Sequence, residues 1–121
     1  MKYIITESMV SNAVSKYLDN EEYFVLDLGK KFNNYIYFLN SPDSEVAKIC
    51  VYTHNAFGQP RNWIYISNIL INEVSSLFRM GRYDSKYVIG EWVEKKLGIT
   101  SGKIEDASAS YEGSHRLDVD R

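Results

Sequence analysis

Apolar positions recur at helical spacing near the start of the chain. Val10, Ala13, Val14, Tyr17 and Leu18 fall on one face, and Asp19-Asn20 ends the pattern. Thr6 or Ser8 is placed to cap this helix, with Glu7 near its positive end. Residues 3–5 before it are β-prone but short. Four strand-like runs follow, at Tyr23 to Leu28, Tyr35 to Leu39, Val46 to His54 and Trp63 to Ser67. Turn chemistry separates them: Gly29 to Asn34, then Asn40-Ser41-Pro42-Asp43-Ser44, then a loop at Asn55 to Asn62 holding Gly58 and Pro60. Short connections favour antiparallel neighbours, so the runs read as a meander.

Two more helices are predicted. Ser67 or Asn68 caps the first, which turns Leu70, Val74, Leu77 and Phe78 inward and stops at Gly81. Asp84 or Ser85 caps the second, with Val88, Ile89, Trp92, Val93 and Leu97 inward. Gly98 sits where a left-handed C-cap belongs. Gly90 weakens this helix by about 1 kcal/mol relative to Ala and invites close packing on the sheet. From Ile99 the sequence is rich in Ser, Gly, Asp and Glu. The expectation is an α+β domain over residues 1–98, with a polar C-terminal tail at 99–121. Its small antiparallel sheet, of about four strands, is covered on one face by the N-terminal and C-terminal helices.

Strand parity sorts the side chains into two faces. Ile36 and Phe38, then Ala47, Ile49 and Val51, then Ile64 and Ile66 form an aliphatic face for the helices. The opposite parity gives Tyr35, Tyr37 and Leu39, then Lys48, Cys50, Tyr52 and His54, then Trp63 and Tyr65. Rings with polar tips offer contact area and hydrogen-bonding handles, as interfaces require. Tyr35, Tyr37, Tyr52, His54, Trp63 and Tyr65 are therefore the candidate binding residues. The plainer reading is that tyrosine suits any half-exposed pleat and that cross-strand rings stabilise sheets without a ligand.

Composition narrows the picture. The 121 residues are 45% hydrophobic and 25% charged, which suits one folded domain and excludes wholesale disorder. The net charge is −2, and the first 60 residues carry 5 basic and 7 acidic side chains, so no basic module stands out for duplex binding. A single cysteine, Cys50, forms no intrachain disulfide and points to a reducing compartment. No apolar run approaches the ~20 residues of a membrane span, and the first residues lack a signal-peptide core. The expected location is the cytoplasm, or a particle assembled there.

Cys50 and His54 in one strand stand roughly 13 Å apart, too far for a thiol–imidazole pair. With His115 they give no zinc-type spacing. Gly98-Ile99-Thr100-Ser101-Gly102-Lys103 fails as a phosphate loop, since it has three residues between the glycines, ends on Ile104 in place of Ser/Thr, and follows a helix. No cofactor or metal is expected. Arg79, Arg82 and Lys86 cluster around Gly81 as a candidate anion clamp, or as partners of the preceding helix's last carbonyls.

Met1-Lys2-Tyr3-Ile4-Ile5-Thr6-Glu7-Ser8 running into an amphipathic helix, with Asp84-Ser85-Lys86-Tyr87-Val88-Ile89-Gly90-Glu91-Trp92-Val93 later, resembles the small accessory or virion-associated proteins of tailed phages in style. That resemblance implies a phage assembly component or a host-directed accessory protein, in the host cytoplasm or the virion, and supplies no catalytic residues. The function expected is a non-enzymatic module binding another protein, a second copy or a virion assembly. The alternatives are a single-stranded nucleic-acid binder that stacks bases on the sheet rings, and an enzyme with a site outside known motifs.

Overall fold

The computed structural model describes residues 7–29, 34–56, 58–106 and 115–116. The β-prone residues 3–5 and the Thr6 cap lie outside these, as does the Ser8 side chain. The chain is α+β. Helix α1 (Glu7–Asn20) precedes strands β1 (Phe24–Asp27), β2 (Asn34–Leu39), β3 (Val46–Ala47), β4 (Ile49–Ala56) and β5 (Gln59–Ile66). Helices α2 (Asn68–Phe78) and α3 (Arg82–Leu97) follow, then β6 (Ser101–Asp106) and β7 (His115–Arg116). The main sheet has five strands in the order β1-β2-β4-β5-β6, all antiparallel except the β5–β6 pair. A parallel pair needs a long crossover, and α2 and α3 supply it.

The helices cover one face of the sheet. Phe38, Ile49, Val51, Ile64 and Ile66 pack there against Val14 and Leu18 of α1, Leu70, Ile71 and Val74 of α2, and Ile89, Trp92 and Val93 of α3. Each fully buried aliphatic side chain here contributes about 1.5–3 kcal/mol. Phe38 and Trp92 meet edge to face at 5.5 Å, and the Trp92 indole N–H donates to Asp19 Oδ1 at 3.0 Å, locking α3 to the end of α1. Ala13 and Leu77, expected inward, are exposed; Ile71 takes the buried place in α2. Among the described residues no helix is long and apolar enough to cross a membrane.

Local chemistry explains most boundaries. The Ser67 hydroxyl accepts from Leu70 N at 3.1 Å and caps α2. Gly98, at φ +65°, is the left-handed C-cap of α3. The α2–α3 turn is sharper than expected. Arg79 is the left-handed cap of α2 at φ +51°, Gly81 is the N-cap of α3, and Asp84 and Ser85 lie inside that helix. The expected loop at 55–62 is largely strand: β4 and β5 stay paired out to Ala56 and Gln59, with Gly58 at φ +79° just before Gln59.

Two corrections bear on the faces. The run Val46 to His54 is not one strand but breaks at Lys48. Lys48 N donates to Phe38 O at 2.9 Å, and Lys48 O accepts from Ser67 N at 2.8 Å. This one-residue irregularity moves Ala47 onto the aromatic face, where it packs with Tyr37, Leu39 and Cys50. The polar tail also begins later than residue 99. Ser101–Asp106 forms the fifth strand, because Ile104 supplies the one apolar anchor an edge strand needs and packs on the helix-side core. Beyond Asp106 only residues 115–116 are described, paired to β3 as Val46↔Arg116 and Ala47↔His115.

Candidate functional site

The aromatic face has a sealed half and an open half. In the sealed half, Tyr37, Leu39, Ala47 and Cys50 are fully buried, and Leu26, Leu28, Tyr35 and Tyr65 pack around them. Tyr37 is thus a core residue and is withdrawn from the binding set. Parity assigned its face correctly, but the break at Lys48 folds Ala47 over it. Burial pushes the Cys50 thiol well above its ordinary range, so the nucleophilic thiolate is suppressed. Tyr65, half-buried beside it, is raised first by burial and then by Cys50 and Glu105.

In the open half, Tyr35, Tyr52, His54 and Trp63 are half-buried, not sealed, and form a continuous ladder. Tyr35 and Tyr52, directly opposite in the β2–β4 register, have ring centroids 4.8 Å apart. Tyr52 stacks on His54 at 5.2 Å and 13°. Trp63, opposite Tyr52 on β5, stands 6.0 Å from it and meets His54 edge-on at 4.4 Å. Among the described residues His54 Nδ1 has no hydrogen-bond partner, so packing between Tyr52 and Trp63 holds the ring. The Tyr35–Tyr37 stack, at 5.9 Å and 4°, ties the ladder to the sealed half.

Two cations join the ladder that sequence reasoning missed. Lys103, in the stretch read as tail, pairs with Trp63 in the β5–β6 register and holds its Nζ 5.3 Å over the indole. Arg61, in the stretch read as loop, is exposed and opposite His54. The signal was the alternation Arg61-x-Trp63-x-Tyr65, which continues the parity of β5 backwards. Glu105 is the acidic member of this face, 3.9 Å from Lys103 Nζ. Lys48, expected among the rings, lies at the strand break.

The three cations around Gly81 are dispersed. Arg82 donates to Asn68 Oδ1 at 2.7 Å and to Asn72 Oδ1, and lies 3.9 Å from Asp106. Lys86 Nζ sits over both the Tyr83 and Tyr87 rings, at 5.5 and 5.6 Å. Arg79 is the helix cap and lines a groove of about 880 Å³ between α1 and α3. That groove mixes Arg79 and Lys95 with Asp84 and Glu91, so no single ligand charge is selected. At the rejected phosphate-loop segment, Ser101 N and Oγ both donate to Glu94 Oε2, at 2.8 and 2.9 Å; an internal carboxylate already takes those donors.

Fold and surface together define a small α+β domain with one sheet face given to its helices and half of the other left as an aromatic ladder. No known protein family, curated protein or solved structure matches the chain.

Proposed function

We propose that this chain is a non-enzymatic interaction module that holds another protein on the open half of its aromatic face. The observation that supports this reading is the half-buried ladder Tyr35–Tyr52–His54–Trp63, rimmed by the exposed Arg61 and Lys103. Rings pre-stacked on a rigid sheet lose little conformational freedom on binding, which is how aromatic anchors act at interfaces. The two rim cations select a partner segment carrying carboxylates among apolar side chains. The setting inferred with it is a tailed-phage accessory or virion-associated protein, working in the host cytoplasm or the particle, and rests on the style of the opening and late-helix segments.

The test is affinity capture from the native cell with the full chain as bait, beside Tyr52→Ala and Trp63→Ala. A partner retained by the parent and lost by both folded variants supports the reading. Equal capture by all three removes it.

A second reading has its own support. Lys103 and Arg61 beside stackable rings suit unpaired nucleic acid, in which bases stack and phosphates meet cations. Salt-dependent binding of a labelled single-stranded oligonucleotide at micromolar protein, weakened by Lys103→Ala, would favour it over the protein partner.

A further inference from the structure

We propose that β1 is a homodimer seam, at which the edge strands of two copies pair antiparallel about a two-fold axis to make one continuous sheet. Among the described residues β1 is an edge of the main sheet, hydrogen-bonded to β2 alone. Edge strands are normally protected by charge. The other edge, β6, obeys this with Lys103, Glu105 and Asp106. β1 is less guarded: it reads Phe24-Val25-Leu26-Asp27, with its one charge at the end and with Phe24 41% and Val25 44% exposed.

The register with β2 fixes which backbone groups are available. Leu28 N donates to Tyr35 O, so Leu28, Leu26 and Phe24 direct their backbone groups toward β2. Tyr23, Val25 and Asp27 therefore direct theirs outward. A two-fold axis perpendicular to the sheet at Val25 places Val25 opposite the other copy's Val25, and Tyr23 opposite its Asp27. Each of these is a hydrogen-bonded pair, giving roughly six bonds across the seam. The intervening pairs set Phe24 against Leu26, both on the aromatic face.

This register is self-complementary. It buries the two exposed apolar side chains of the strand against apolar neighbours and opposes no like charges. Asp27 meets a tyrosine, and its Oδ1 is already engaged by Gly29 N and Asn34 Nδ2, both at 2.8 Å. That self-match is what an isologous contact requires of a single strand, and it favours a second copy as the occupant. The axis also keeps both aromatic ladders on the same side of the joined sheet.

Sedimentation of the full chain across about one to a few hundred micromolar tests the seam. The expected result is a reversible doubling of the 14.0 kDa mass. Val25→Lys and Val25→Glu place like charges across the axis, so each alone is expected to remain monomeric with an unchanged circular dichroism spectrum. Mixed one to one, they are expected to dimerise again, which a misfolded variant would not do. A parent chain that stays monomeric throughout overturns the proposal, as does a dimer indifferent to both substitutions. A monomer that loses a foreign protein partner on Val25→Lys assigns the edge to another chain's strand and also overturns it. Trp63→Ala is expected to leave the dimer intact, so the seam and the ladder fail or stand separately.

Discussion

Gly90 of α3 and Ile104 of β6 touch with no room for a methyl group between them. A Cβ at position 90 would stand 2.5 Å from Ile104 Cδ1 and 3.0 Å from its Cγ1 and Cγ2. Two effects then oppose each other in Gly90→Ala. The helix gains about 1 kcal/mol of propensity, while overpacking costs about 1–3 kcal/mol. Overpacking wins, for a net loss of about 1 kcal/mol in urea unfolding. Adding Ile104→Val removes the nearest carbon, and the double variant is expected to lie above the sum of the two single losses. A Gly90→Ala protein more stable than the parent would show that Ile104 yields to the added methyl group and that the contact is not tight.

Ser67 joins two structures with one residue. Its hydroxyl caps α2 at Leu70 N, and its own N–H donates to Lys48 O at the strand break. Being fully buried, it has no water to replace the hydroxyl. Ser67→Ala is expected to cost about 1–2 kcal/mol and to speed amide exchange in the first turn of α2 before the rest of the helix. Uniform exchange along α2 would sink the capping argument.

How far the sequence carried depended on whether a local rule was the only one acting. Parity placed Ile36, Phe38, Ile64 and Ile66 on the helix side, and glycine's tolerance of positive φ placed Gly98 as a cap. Parity failed at Ala47, because it counts residues and a single irregularity at Lys48 inverts the count. It named the face of Tyr37 but not what lies above that face, which is a tertiary fact. β6 escaped because an edge strand needs little hydrophobicity; Ile104 is the one apolar residue among its six. Lys103 escaped with it, and Arg61 was hidden by Gly58 and Pro60, which signalled a loop where a tightly closed hairpin tolerates both. Arg79, in the left-handed region, ends α2 just before the stop expected at Gly81, a conformation no propensity scale favours for arginine.

Cys50 provides a probe of the sealed half. It is fully buried among Tyr37, Leu39 and Ala47, and burial disfavours its thiolate. A soluble disulfide reagent is expected to react only as the molecule opens, with a rate that follows unfolding and rises steeply in denaturant. Cys50→Ser introduces a hydroxyl into that cluster and is expected to cost about 1–3 kcal/mol, more than Cys50→Ala. Prompt labelling of the native protein would mean that β3 does not close over this half.

Asp19 gives the fold an acid limb. Its carboxylate is held below its usual range first by Lys96, whose Nζ lies 2.8 Å from Oδ1, and then by the Trp92 indole N–H. A carboxylate depressed in the folded state stabilises it fully above the unfolded pKa of about 3.9. That contribution fades as pH falls through the lower folded value, because protonation abolishes the attraction to Lys96. Both side chains are half-exposed, so salt screens the pair and the effect is modest. Asp19→Asn keeps an acceptor for the indole but has no charge to lose. Its stability is expected to fall less than the parent's from about pH 5 to about pH 2, followed by tryptophan fluorescence in urea. The gap between the two proteins should narrow in high salt. Parallel curves over that range would show that the Asp19 charge contributes nothing to holding α1 against α3.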